Sequence, residues 1–430
     1  MPSRSTVSTA PFQPSRRSLL ATAAAGAALA GVTTAPRARA AAAKKGTAER
    51  HVHYVSWSGA DLVFGPFDRT LDYTDPHAAA GTPVRYEMAT WTSPVVVPGF
   101  GLTELAASWN AATPGGSWVE VRVRGTSAGT VTKYYVLGRW AAKDPDDGGG
   151  IHRTSLDGQG DTVATVFTDT LATRTGFTLT DWQLEVRLMR PEGSGDTPSV
   201  SVVGAMASAL PDAKTVPRSP NGPACGITLD VPTYSQEVHV GHYPQWDNGG
   251  EAWCSPTSTS MVVAYWGAGP AAAETAWVDP PVDAQVDFTA RNVFDYTYDG
   301  AGNWPFNTAY AATRGDLRGF VTRLRSLTEA ESFIAAGIPL VVSVSFKKGE
   351  LKGAGYGTNG HLMVVVGFTA AGDVVVNDPA SHLVASNDQV RVVYDREQFE
   401  NVWVPHSGGI AYVIRPAGRA LPQAPNEPNW

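Results

Sequence analysis

Gly249-Gly250-Glu251-Ala252-Trp253-Cys254-Ser255-Pro256-Thr257-Ser258 is the stretch on which the reading of the fold turns. The two glycines make a loop. Ser255-Pro256 suits the first turn of a helix, where proline forfeits no intrahelical hydrogen bond. From Cys254 to Trp266 the spacing stays helix-compatible, with Met261, Val262 and Tyr265 on one stripe and Gly267 as a stop. Cys254 is therefore expected at a helix N-terminus, where aligned peptide dipoles and free backbone N–H groups stabilise a thiolate.

A thiolate used as a nucleophile needs a partner that can act as base and then as acid, and histidine suits both roles. Of the nine histidines, His361 stands out because Gly357-Thr358-Asn359-Gly360 leads up to it and Leu362-Met363-Val364-Val365-Val366 follows at once. It is expected at the mouth of a strand, exposed but rigidly mounted. After the turn Ala370-Ala371-Gly372 the chain returns to Asn377-Asp378-Pro379, which brings Asp378 back to the same end of the sheet. There its carboxylate can orient the imidazole, the third role in a triad.

Around this pair the C-terminal half reads as mixed α and β. A second helix is expected over residues 328–336, with strands over 340–346, 361–368, 373–377 and 409–414, an α+β arrangement. The preceding half reads as β. Val119, Val121 and Val123 alternate with charged residues, as do Trp182, Leu184, Val186 and Leu188 with Gln183, Glu185 and Arg187, and Gly/Pro/Asp-rich joins separate the runs. A β-sandwich of jelly-roll type is expected over 50–210. The polar, proline-containing segment 211–226 reads as a linker, 227–416 as the second domain and 417–430 as a tail.

The phrases Leu229-Asp230-Val231-Pro232-Thr233-Tyr234-Ser235-Gln236, Trp253-Cys254-Ser255-Pro256-Thr257, Gly360-His361 and Asn377-Asp378-Pro379, in this order, resemble the C39-like branch of the papain-type cysteine peptidases. The resemblance covers roughly residues 227–415. It implies a papain-like cysteine peptidase domain with Cys254, His361 and Asp378 as triad. It also implies that Gln236 lends its amide N–H to the oxyanion. Gln245 is nearer the cysteine, but its flanks do not match. Ser255 stands where family members often have glycine. The implied reaction is hydrolysis of a peptide amide bond through an acyl-enzyme, in an ordinary peptide or in a cell-wall peptide.

Other readings remain open. Cys225 and Cys254 are the two cysteines of the chain and could form a disulfide, leaving an inert or wall-glycan-binding protein. His239 and His242, with Asp247 following, could ligate a metal, but the spacing matches no zinc signature. Asp144, Asp146 and Asp147 could hold calcium, though a solvated turn fits the spacing better. Trp57, Trp91, Trp109, Trp118 and Trp140 could stack on sugars, and sandwich core is the blander reading. Tyr234, Trp253 and Trp304 are plausible cleft walls. Neither cofactor nor metal is expected.

Composition bounds the rest. At 430 residues, 43% hydrophobic and 17% charged, the chain has ample material for more than one core. A net charge of -7 gives no basic surface for nucleic acid. Ser15-Arg16-Arg17-Ser18-Leu19-Leu20, the weakly apolar run to Val32 and Ala38-Arg39-Ala40 resemble a twin-arginine export signal over residues 1–40. No later segment is apolar enough to span a bilayer. A secreted or cell-wall-associated monomer is expected.

Overall fold

The computed structural model describes residues 49–79 and 81–430, and the expected export signal lies outside them. In the N-terminal half the strands are β1 (His51–Ser58), β2 (Arg69–Tyr73), β3 (Val84–Thr92), β4 (Glu104–Ala112), β5 (Trp118–Ser127), β6 (Thr130–Val131), β7 (Tyr135–Trp140), β8 (Ala164–Phe167), β9 (Thr170–Thr173), β10 (Asp181–Pro191) and β11 (Ser199–Ala209). They form two antiparallel sheets, ordered β1-β11-β4-β9-β8 and β2-β3-β10-β5-β6, with β7 also on β5. The period-two runs line a core shared by both sheets: Val119, Val121 and Val123 face Leu105, Ala107, Trp109 and Leu171. Trp109, Trp118 and Trp140 are fully buried and Trp91 nearly so, while Trp57 packs edge-on against Trp91 and Trp182. Trp91, Trp109, Trp118 and Trp140 are core, while Trp57 is half-buried at its edge.

The C-terminal half contains α1 (Cys254–Tyr265), α2 (Ala284–Val293), α3 (Trp304–Ala311), β12 (Leu317–Arg323), α4 (Leu327–Ala335), β13 (Leu340–Phe346), β14 (Thr358–Phe368), β15 (Val374–Asn377), β16 (Arg391–Tyr394), α5 (Arg396–Trp403) and β17 (Ile410–Pro416). Its sheet is antiparallel, in the order β12-β17-β13-β14-β15-β16. Met261, Val262 and Val263 of α1 pack against the Val- and Ile-rich face of this sheet. Helices α1 and α4 and strand β13 fall where the sequence puts them, whereas α2, α3, α5, β12 and β16 were not anticipated.

The two halves are joined through β4, which is buried almost along its length. Ser108 Oγ accepts from Val321 N at 2.8 Å, and Asn110 Nδ2 donates to Gly319 O at 2.7 Å. From the other side Phe306 of α3 enters the sandwich core, its ring centroid 6.1 Å from that of Trp109. Gly138 makes room: a Cβ there would lie 3.0 Å from Phe306 and from Trp109.

Segment 211–226, expected to be a linker, is laid along the C-terminal half. Arg396, buried with Glu331 at 2.7 Å, donates to Ser219 O and Pro220 O, while Glu331 accepts from Gly222 N and Ala224 N. These contacts satisfy a buried ion pair whose partners would be costly to desolvate alone. Within 417–430, Pro428 O accepts from Tyr54 N, and buried Asn429 donates to Arg323 O.

Candidate active site

Cys254 is the first residue of α1 and is half-buried. Trp253 precedes it as N-cap, its indole Nε1 donating to Trp246 O at 2.6 Å and not capping the helix, and the helix holds Pro256 in its first turn. The adjacent Ser255 is fully buried and pairs with the Tyr412 hydroxyl at 3.0 Å, so this departure from glycine faces the sheet. Ser258 Oγ donates to Leu362 O at 3.0 Å, pinning α1 to β14 one residue beyond His361.

His361 lies inside β14, because pairing begins at Thr358, and it is buried where the sequence led us to expect exposure. Its Nε2 is 2.9 Å from Asp378 Oδ1. Cys254 lines the same cleft, and Nδ1 is the ring nitrogen left to face its thiol. Burial pulls the imidazole pKa down, but the bond to Asp378 and the neighbouring Cys254 prevail and raise it to about 10. Asp378 is fully buried just after β15. Burial opposes its ionisation, yet His361 and the two tyrosine hydroxyls hold the carboxyl below the usual range.

Those tyrosines escaped the sequence reading. Tyr356 donates to Asp378 at 2.9 Å, Tyr394 donates to Oδ2 at 2.7 Å, and Ala380 N donates to Oδ1 at 3.0 Å. Burial and the facing carboxylate raise both phenols, which keeps them donors.

Gln236 is buried on the turn Gln236–His239, where its Nε2 donates to Glu251 O at 2.8 Å. Gln236, Cys254 and His361 line one cleft of about 540 Å³. Gln245 is exposed and does not line it. Trp304 lines the cleft as expected, but Trp253 is fully buried and Tyr234 is not among the lining residues. Glu104, Phe167 and Thr170 of the N-terminal half form part of the wall. Glu237, Asp247 and Glu251 give the cleft an acidic side, and burial raises the Asp247 carboxyl to about 6.

Both cysteines are free thiols, which removes the disulfide. Cys225 instead faces Glu331 at 3.8 Å. Asp144 and Asp147 pair with Arg153 and Arg291 at 2.8 and 2.6 Å, so arginines take the place the calcium reading required. Asp247 accepts from Ala301 N and does not join His239 and His242; Asp287 does.

Residues 228–410 match the Peptidase_C39 like family, and residues 35–208 match the Peptidase C39 N-terminal domain. Together these matches support the peptidase C39 family for the chain, and with it a cysteine peptidase-like hydrolase. The chain is also similar to the crystal structure of a proposed C39-like peptidase from Bacillus anthracis. That likeness has 19% identity and a TM-score of 0.27, and covers 44% of this chain and 97% of that one. No curated protein matches the chain.

Proposed function

We propose that the chain is a thiol hydrolase that cleaves peptide amide bonds through an acyl-enzyme. The observation that carries this reading is the convergence of Cys254, at a helix N-terminus, and His361 on one cleft, with buried Asp378 bonded to the far side of the imidazole. A helix bearing the thiol packed against a sheet bearing the imidazole also supports a papain-like arrangement. The exchange of strands between two packed sheets supports a jelly-roll reading of the N-terminal half.

In this mechanism the Cys254 thiolate attacks the scissile carbonyl carbon. The oxyanion takes hydrogen bonds from the Cys254 backbone N–H and from Gln236, whose Nε2 offers the N–H not given to Glu251 O. Protonated His361 delivers its proton to the leaving amine, then as neutral base takes one from the water that frees the acid. Asp378, held by Tyr356 and Tyr394, fixes the ring. The acidic side of the cleft favours substrates with a cationic group near the bond, as in ordinary peptides and in amine-bearing wall peptides. Export by the twin-arginine route and a monomeric state belong to the same proposal.

The test is the mass shift of the full chain with iodoacetamide at about pH 6 for wild type, Cys254→Ser and His361→Ala. Rapid single labelling at Cys254 that slows without His361 is expected. Labelling at an ordinary thiol rate, indifferent to His361, would sink the reading.

A further inference from the structure

Outside the cleft, three side chains converge on one buried point. His239 ends the turn that carries Gln236, His242 follows in the loop toward Cys254, and Asp287 projects from α2. His239 Nδ1 is 3.0 Å from Asp287 Oδ2, and His242 Nδ1 is 2.9 Å from Oδ1. The donor atoms of the three residues all lie within 4.8 Å of one another. His239 and Asp287 are 0% exposed, whereas the His242 side chain keeps 11% and marks the side nearest solvent.

The hydrogen bonding here is incomplete in an informative way. His242 bonds Oδ1 in good geometry, but both ring nitrogens of His239 and Oδ2 of Asp287 lack a hydrogen-bond partner. Buried polar atoms are rarely left so, because each forfeits its hydration without compensation. A close but misaligned pair is what two ligands of a common cation show. Donors held about 2.0–2.1 Å from one ion at near-tetrahedral angles lie about 3.3–3.4 Å apart, so the 2.9 and 3.0 Å separations here need open by only a few tenths of an ångström to admit one. The surroundings are closed as well: a Cβ on Gly250 would fall 2.3 Å from the His239 carbonyl carbon and 2.4 Å from Gln236 O.

We propose that His239, His242 and Asp287 form a binding site for a divalent transition-metal cation of the zinc class. Two imidazoles and one carboxylate suit such an ion, whereas calcium and magnesium demand oxygen donors throughout. Bound there, the cation staples the loop between Gln236 and Cys254 to α2 and holds Gln236 in register with the nucleophile. The site stands whether or not the hydrolase reading does.

The experiment uses the full chain bearing Cys254→Ser, which removes a competing thiolate. Zinc is titrated by calorimetry, and retained metal is measured after dialysis. One equivalent is expected, with affinity weakened by more than about 100-fold in His242→Ala and in Asp287→Asn, each checked for an unchanged metal-free circular dichroism spectrum. X-ray absorption at the zinc edge needs no further substitution and is expected to show two imidazoles and no sulfur. No retained zinc, retention unaffected by both substitutions, or a sulfur-ligated spectrum would overturn the proposal.

Discussion

Nε2 of His361 lies 2.9 Å from Oδ1 of Asp378, and the same carboxylate takes hydrogen bonds from Tyr356 and Tyr394. One carboxylate thus holds the imidazole and two phenols hold the carboxylate, all three buried. Asp378→Asn keeps the shape but removes the charge and permits the wrong tautomer. We expect kcat on a cleaved peptide to fall by up to about 10⁴-fold, the scale reached when a triad aspartate becomes an amide. An unchanged kcat would remove Asp378 from the orienting role.

Tyr394→Phe deletes the 2.7 Å donor to Asp378 and leaves the cleft lining intact. A hydrogen bond to a charged group contributes about 1.5–3 kcal/mol, so stability near neutral pH should drop by that order. The folded pKa of Asp378 is depressed, so its stabilisation is present above the unfolded carboxyl value and is lost as pH falls through the folded one. Without Tyr394 the folded value rises, and acid unfolding should begin at higher pH. Denaturant midpoints between pH 2 and 7 for both proteins decide this.

His361 gives the opposite slope. With its folded pKa raised to about 10, its stabilisation is complete below the unfolded value near 6.5 and disappears as pH climbs toward 10. Wild type should therefore lose denaturant midpoint as pH rises, and His361→Gln should flatten that decline. Parallel declines in the two proteins would show that other groups cause it.

Gln236→Ala should lower kcat by about 10²- to 10³-fold, the usual cost of one oxyanion donor. Iodoacetamide labelling of Cys254 should persist, since alkylation forms no oxyanion. Gln245→Ala, at an exposed position off the cleft, should change neither rate. Equal losses in both variants would assign the oxyanion contact elsewhere.

Phe306→Ala opens a cavity under Trp109 and should destabilise the whole chain by about 3–5 kcal/mol. Because Phe306 belongs to the sandwich core while α3 belongs to the other half, a single unfolding transition should move. Two separated transitions, with the N-terminal one unmoved, would contradict this coupling.

Local sequence pattern reveals what local chemistry dictates. Pro256 marks the start of α1, and the hairpin between β14 and β15 returns Asp378 to His361. Helix α3 was illegible because it is buried on every side and shows no polar face to define a stripe. Tyr356 and Tyr394 stand 22 and 16 residues from Asp378 in the chain, and only the folded sheet brings them together. The exposure of His361 was misjudged for a related reason: the glycines before it look like a loop, yet Thr358 already pairs with Phe346. The replacement of Asp247 by Asp287 beside His239 and His242 is likewise a long-range event, since α2 delivers that carboxylate.

The insertion of Phe306 also sets an order of events during synthesis. Strands β1 to β11 are complete at Ala209, but the core they enclose is sealed by Phe306 and Ala309. A ribosome adds roughly 100 more residues first, about 5–20 s at ordinary elongation rates. Until α3 emerges, the nascent sandwich carries an apolar opening beside Trp109, the kind of exposed surface that invites misassociation.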